Sequence, residues 1–337
     1  MSKEIAILTS AGDVDVGAWN ALADESPVAS WFQTPEAYDF FAGLSFLEAF
    51  VVAVKNGGKL RGVVIGYVQK DGGRIKQFFS RRAIITGGPL LASDISNVEL
   101  VELLNAVKNS LRKKSIYIET RNFNDYSQWK NVFEACGFRY EPHFDIVVDT
   151  ASMEVVNENL GKSRKRDIRV SMRDGASVVP KPTLSQVQDF YDILNKLYTT
   201  KVKTPLFPLE FFEKLFACDN TAFLLVEYAG RIVGGTVCVG LPGVALYEMY
   251  ACGEDGAQKT IFPSEVATFA GLQFAAENGY PKFDMMGAGS PNDGGYGVRD
   301  FKLKFGGELL ELGRYDYVSK PLLYQIGKLG VKLLKKL

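Results

Sequence analysis

The chain has 337 residues, 47% hydrophobic and 23% charged, with 39 Lys plus Arg balanced by 39 Asp plus Glu. That length exceeds what one core usually supports, so two domains are expected, and the composition excludes a disordered chain. Balanced charge excludes a global field that draws the protein onto nucleic acid, so contact with RNA or anionic lipid needs a local basic patch.

The first residues, MSKEIAILTSAGDVD, carry an apolar run too short for a signal peptide, and no stretch of about 18 apolar residues predicts a membrane span. Cys136, Cys218, Cys238 and Cys252 have no close spacing and read as reduced thiols of a cytoplasmic protein. His143 is the only histidine. A His-rich zinc site is therefore excluded, no other ligand cluster suggests a metal, and the chemistry is expected to run without histidine.

In chain order, residues 50–68 (FVVAVKNGGKLRGVVIGYV) alternate apolar positions around Gly57-Gly58, the pattern of a β-hairpin. Arg81 and Arg82 precede ITGGP; they read either as a charged strand end or as a grip on a phosphate or carboxylate. Residues 98–111 have helical periodicity, and Ser96 with Glu99 has the spacing of a capping box. Residues 160–174 predict a helix closed by Gly175. On it Lys162, Arg166, Arg169 and Arg173 share one face, either solvated or holding phosphates.

A second hairpin is predicted at residues 223–241 around Ala229-Gly230, and a second helix at residues 263–278, with Pro263 at its first position and Gly279 after its end. These elements echo the first half at an offset of about 170 residues, as do residues 281–293 and 301–318. The three echoes of the hairpin, residues 281–293 and residues 301–318, in one order, predict a duplicated α/β (α+β) domain: residues 1–150 and 151–318, each a mixed twisted sheet flanked by helices. Residues 319–337 predict an amphipathic basic helix. Leu322, Ile326, Leu329, Leu333 and Leu337 form one face, and Lys328, Lys332, Lys335 and Lys336 the other. That helix suits docking on the first domain or peripheral contact with an anionic bilayer.

The most informative stretch is residues 283–307, FDMMGAGSPNDGGYGVRDFKLKFGG. A short strand ends at Asp284 and opens into a glycine-rich loop with Gly287 and Tyr296, followed by Arg299, Asp300, Lys302 and Lys304. Glycines let a backbone approach a ligand closely, and cations just beyond suit a reaction that develops negative charge on oxygen. Lys302 and Lys304 also fit the solvent face of a strand; the functional reading is preferred for Lys302 and the strand reading for Lys304.

The duplicated halves, with SWFQTPEAYDFF at residues 30–41 and GGYGVRDFKLKFGGE at residues 294–308, resemble the Fem family of peptidoglycan interpeptide-bridge aminoacyltransferases. The motif matches fall on Phe32, Gln33 and Thr34, on the basic run 162–169, on Phe283-Asp284, and on Gly297, Phe301, Lys302, Phe305 and Gly306. Three features depart from that family: residues 37–44 contain no lysine, Lys201 or Lys203 stands where an arginine is expected, and no long coiled-coil insertion is present.

The resemblance implies two tandem GNAT-like domains and transfer of an aminoacyl group from aminoacyl-tRNA to an amine of a lipid-linked or nucleotide-linked peptidoglycan precursor. Charged tRNA is then a co-substrate, with no bound cofactor. In that reaction Asp284 or Asp300 takes the amine proton, and Lys302, then Arg299, faces the oxyanion. Arg81, Arg82, Arg166 and Arg169 are candidates for substrate phosphates. Tyr198, Lys201, Lys203, Phe207, Tyr250, Gly287 and Tyr296 are candidates for lining a cleft between the halves. One alternative is an N-acyltransferase using acyl-coenzyme A, although residues 252–266 lack the loop spacing that holds its pyrophosphate. Another is a non-catalytic binding protein for a cell-wall or lipid-linked glycan.

Overall fold

The computed structural model describes residues 5–69, 81–254, 256, 258–293 and 297–334. The chain divides into two compact units, one built from residues 1–142 and 312–337, the other from residues 143–311.

The first unit's sheet contains β1 (Ile5–Leu8), β2 (Leu47–Asn56), β3 (Lys59–Gln69), β4 (Arg82–Gly87), β5 (Leu90–Leu91), β6 (Tyr117–Asn122) and β7 (Arg139–Glu141). The second contains β8 (Phe144–Asp149), β9 (Ser177–Val178), β10 (Thr221–Tyr228), β11 (Arg231–Leu241), β12 (Ala245–Gly253), β13 (Lys282–Asp284) and β14 (Glu308–Glu311). The last strand, β15 (Arg314–Val318), returns to the first sheet.

The strand orders are β1-β2-β3-β4-β6-β15-β7, with β5 on β3, and β9-β10-β11-β12-β13-β8-β14. The two orders are one plan used twice. Each unit has one parallel pair, β4–β6 or β12–β13, among antiparallel neighbours. The boundaries at residues 150 and 318 need correction. The closing strand of each half, β8 or β15, completes the other unit's sheet between that unit's parallel pair and its edge strand. Exchange of equivalent strands preserves every ladder, so periodicity within a half could not reveal it.

Among the described residues, eleven helices flank these sheets: α1 (Val16–Glu25), α2 (Pro35–Ala42), α3 (Asn97–Leu111), α4 (Lys130–Ala135), α5 (Met153–Asn159), α6 (Lys162–Arg173), α7 (Leu184–Leu197), α8 (Leu209–Phe216), α9 (Pro263–Glu277), α10 (Gly297–Leu303) and α11 (Pro321–Leu334). The helix expected over residues 160–174 starts at Lys162, because Leu160 and Gly161 adopt extended and non-helical backbone between α5 and α6.

Both hairpin turns have consecutive positive φ values, at Gly57 and Gly58 and at Ala229 and Gly230, as tight two-residue connections require. The Phe32-Gln33-Thr34 segment is structural within the first unit. Thr34 caps α2 by accepting from the Ala37 amide at 3.2 Å. Buried Gln33 donates from Nε2 to the Gly87 and Gly88 carbonyls at 3.0 Å and to the Tyr126 hydroxyl at 3.1 Å. A polar side chain with its bonds satisfied stiffens a core where apolar packing alone would leave those carbonyls unpaired.

The capping box at α3 is present, and its acid does more than cap. Buried Glu99 accepts from the Ser96 amide at 2.7 Å, from Asn56 at 2.9 Å and from Arg61 at 3.1 Å. Burial raises its pKa, but the bonds from Ser96 and Asn56 and the Arg61 charge outweigh that and hold it below the usual value. A carboxylate depressed in this way contributes stability above its unfolded pKa, and the contribution is lost as pH falls through the folded one. Glu99→Ala is therefore expected to cost about 2–3 kcal/mol in urea melts at pH 7, with the deficit shrinking below about pH 4.

Candidate active site

The second unit's parallel pair is short. β12 and β13 share only the rungs Leu246–Phe283 and Tyr247–Asp284, whereas β4 and β6 pair over six residues. Beyond Asp284 the chain follows β8 instead: the Met285 amide donates to the Ile146 carbonyl at 2.8 Å and the Ala288 amide to the Phe144 carbonyl at 2.7 Å. β12 continues to Gly253 paired only with β11 among the described residues. The two strands thus part at Asp284, and one edge of β12 from Glu248 onward is without a ladder partner, an opening that suits an extended polar ligand.

Three buried carboxyl groups lie on the strands of this fork: Asp284 on β13 and Asp145 on β8, which hydrogen-bond each other, and Glu248 on β12, 2%, 4% and 6% exposed. Burial raises the Asp284 pKa well above the ordinary carboxylate value, and the charge of hydrogen-bonded Asp145 raises it further. Two carboxyl groups so close hold a proton between them, since both cannot ionise cheaply. Glu248 is likewise pushed up by burial. The Lys302 charge and bonds from Thr268 at 3.0 Å and Thr236 at 3.2 Å partly oppose that.

Lys302 is the cation of this cluster. It lies on α10, and its Nζ donates to the carbonyls of Met285, Met286 and Gly287 at 2.5, 2.5 and 3.0 Å. This corrects the strand reading of Lys302 and Lys304: residues 297–303 are helical, and Lys304 follows them. The Phe301–Phe305 ring contact at 5.3 Å, four residues apart, is the helical signal that alternation concealed. The three Lys302 donors shape the loop, whose Met286 adopts φ +51° while its amide donates to Asp284 at 2.7 Å. A non-glycine residue in that region is strained, and here the surrounding bonds impose it.

Arg299 also fastens the loop. It donates to the Ala288 and Ser290 carbonyls at 2.8 Å and lies over the Phe144 ring at 4.8 Å. Asp300 is exposed on α10 and has no hydrogen bond or ion pair among the described residues. Gly287 contributes its carbonyl to Lys302; Tyr296 lies outside the described residues.

Tyr198, Phe207 and Tyr250 do converge, half-buried, with Phe211 and Phe212. Tyr198 and Tyr250 are 6.2 Å apart, Phe212 and Tyr250 5.0 Å, and Phe207 stacks on Phe211 at 4.7 Å. Tyr250 joins this wall to the acid cluster, since Thr236 donates to both the Glu248 carboxyl and the Tyr250 carbonyl. Lys201 and Lys203 are exposed on the π-helical turn Tyr198–Val202 that ends the wall, with Lys203 at φ +56°. Single π-turns of this kind recur at functional sites.

Arg82 in the first unit donates to Gln69 at 2.8 and 3.1 Å, and Arg81 lies beside it in sequence, just before β4. Arg166 on α6 is exposed and paired with Asp167 at 2.8 Å. Arg169 and Lys165 border a cavity of about 310 Å³ floored by Leu160, Ile168 and Phe269.

Asp145, Glu248 and Arg164 are site-building residues that the sequence reading missed. Each of the two acids interrupts an otherwise apolar strand, FDIVVD and ALYEMYACG, which signals a buried charge needing a partner. Arg164 points inward from the basic run, 2.7 Å from Glu265 on α9 and stacked on Phe301 at 4.4 Å.

The carboxyl pair makes a testable statement about pH. Asp284 has a folded pKa raised above its unfolded value, so its contribution is full below about pH 4 and is lost as pH rises through the raised value. Asp145→Asn removes one of the two like charges and can donate to the other carboxylate. The melting temperature of D145N minus that of wild type is expected to grow from pH 5 to pH 9; parallel curves would contradict the shared proton.

No protein-family model and no curated protein matches the sequence. Solved structures do. FemX aligns with TM-score 0.72 at 13% identity, over 95% of this chain and 99% of that one. A tandem GNAT protein from the clavulanic acid biosynthesis pathway aligns with TM-score 0.59 at 11% identity, over 94% and 99%. L-PGS from Bacillus licheniformis aligns with TM-score 0.57 at 15% identity, over 96% and 97%. The duplicated strand order, the parallel pair in each unit and these end-to-end alignments establish a tandem GNAT fold of the kind seen in FemX.

Proposed function

We propose that the protein is an acyltransferase that moves an aminoacyl group from aminoacyl-tRNA to a primary amine on a peptidoglycan precursor, with the fork of the second unit as its reaction centre. The observation that carries this reading is the Asp145–Asp284 carboxyl pair where β12 and β13 part, with the Lys302 charge acting on both Asp284 and Glu248. The FemX alignment supports the same class.

In the proposed step the neutral amine attacks the ester carbonyl. The C–N bond forms, the C–O bond to the ribose breaks, the amine loses a proton and the leaving hydroxyl gains one. The Asp145–Asp284 pair, basic enough because of its burial, takes and returns that proton. Lys302, held by the loop carbonyls, supplies positive charge near the developing oxyanion. Tyr198, Phe207 and Tyr250 offer a half-buried wall for the aminoacyl side chain or the terminal adenine.

The donor preference rests on α9. An acyl-coenzyme A pyrophosphate needs free amides and a positive helix start. Here Pro263 supplies no amide, and Glu265 in the first turn, paired with Arg164, already places a carboxylate there. Charged tRNA places the reaction in the cytoplasm, where the acceptor is lipid-linked or nucleotide-linked.

The test is mass spectrometry of a lysine-containing muramyl pentapeptide after incubation with the protein and either charged tRNA or acetyl-coenzyme A. An aminoacyl increment that needs charged tRNA is the expected result. An acetyl increment from acetyl-coenzyme A alone would overturn the donor, and no increment with either would favour a non-catalytic glycan-binding protein.

A further inference from the structure

The helix α11 belongs to the first unit but is fastened there mainly by its beginning. The Ser319 and Lys320 amides donate to the Ile116 carbonyl at 2.9 and 3.0 Å, and the Tyr324 ring meets Tyr117 edge-on at 5.3 Å. Leu323, Tyr324 and Gly327 are half-buried on that side. The opposite side leaves Leu322 82% and Ile326 52% exposed, one turn apart, with Gln325 exposed beside them, while Lys328 lies over the Tyr324 ring at 4.7 Å. Single exposed apolar residues are ordinary; two stacked on one face of a lysine-rich helix form a surface.

Charge identifies what that surface fits. Residues 319–337 contain Lys320, Lys328, Lys332, Lys335 and Lys336 and no acid, in a chain whose charges otherwise cancel. We propose that α11 docks on an anionic phospholipid bilayer, with Leu322 and Ile326 entering the acyl boundary and the lysines among the headgroups. A second copy of α11 is a poor occupant, because it brings one lysine-rich, acid-free segment against another of the same charge. RNA would use the lysines and leave Leu322 and Ile326 without a partner. The inference does not rest on the proposed transfer reaction, since it uses only residues of α11.

The test is co-sedimentation of the full chain with vesicles of phosphatidylcholine alone, or of equal parts phosphatidylcholine and phosphatidylglycerol. Binding is expected to be at least about tenfold tighter to the anionic vesicles and to weaken with salt. The double variant L322E/I326E is expected to lose at least about tenfold of that binding at an unchanged melting temperature, because both side chains are exposed. Equal binding by the variant and wild type, equal binding to both vesicle types, or no sedimentation would overturn the proposal. So would a dimer by light scattering that the double variant returns to monomer, which would make a second copy the occupant. Transfer to a soluble muramyl pentapeptide should be the same in the variant and wild type, so failure of docking and failure of the transfer reading are distinguishable.

Discussion

Lys302→Ala is expected to lower the single-turnover transfer rate about 100- to 1,000-fold while changing KM little. Two effects combine. The positive charge that opposes protonation of Asp284 and Glu248 disappears, and three carbonyls at the fork lose the ammonium they converge on. Lys302→Arg keeps the charge, but a planar guanidinium cannot reproduce a compact tripod of donors, so it should recover only part of the rate. A merely structural role makes a different prediction: both variants would lose melting temperature and recover normal rates when assayed well below it. The pH profile separates the cases further, since removing the cation raises the carboxyl pKa values and moves the acidic limb to higher pH.

The largest stability effect is expected at Gly306, one of the motif glycines. It has φ +88°, and a Cβ built there would lie 2.4 Å from the Asn159 carbonyl oxygen and 2.6 Å from its carbon. Positive φ and a collision with backbone are independent costs, each about 1–3 kcal/mol. Gly306→Ala is therefore expected to destabilise the second unit by about 3–5 kcal/mol, lowering its melting temperature by roughly 10 °C. Gly230→Ala is the control. It also has positive φ, +75°, but meets nothing within 4 Å, so it should lose only about 1 kcal/mol. Similar losses at both sites would show that the contact with Asn159 is not tight. The neighbouring Gly161 amide donates to the Lys304 carbonyl at 3.0 Å, so this joint also holds the chain just after the end of α10.

Much of the fold was legible because its signals are local. Gly57-Gly58 and Ala229-Gly230 announce their turns, Ser96 and Glu99 their capping box, and Pro263 the start of α9. The echo between halves announced a duplication. Exchange of β8 and β15 was not legible, since a strand's pattern states which face is buried and not which sheet receives it. Lys302 and Asp284 could be singled out as candidates because a glycine-rich loop separates them. Asp145 was missed because it comes from the exchanged strand and is 139 positions from Asp284 in a sequence of 337 residues. The alternation in FKLKF suggested a strand, but burial of Phe301 and Phe305 against Arg164 selects a helix there.

The central claim is that the fork between β12 and β13 receives the acyl donor. Hydrogen exchange with and without a non-hydrolysable aminoacyl-RNA analogue tests it most directly. Protection of residues 248–253 and 285–289, with the first unit's β4 and β6 unchanged, is the predicted result. Protection confined to β4 and β6, or none at the fork when the analogue is saturating, would contradict the account.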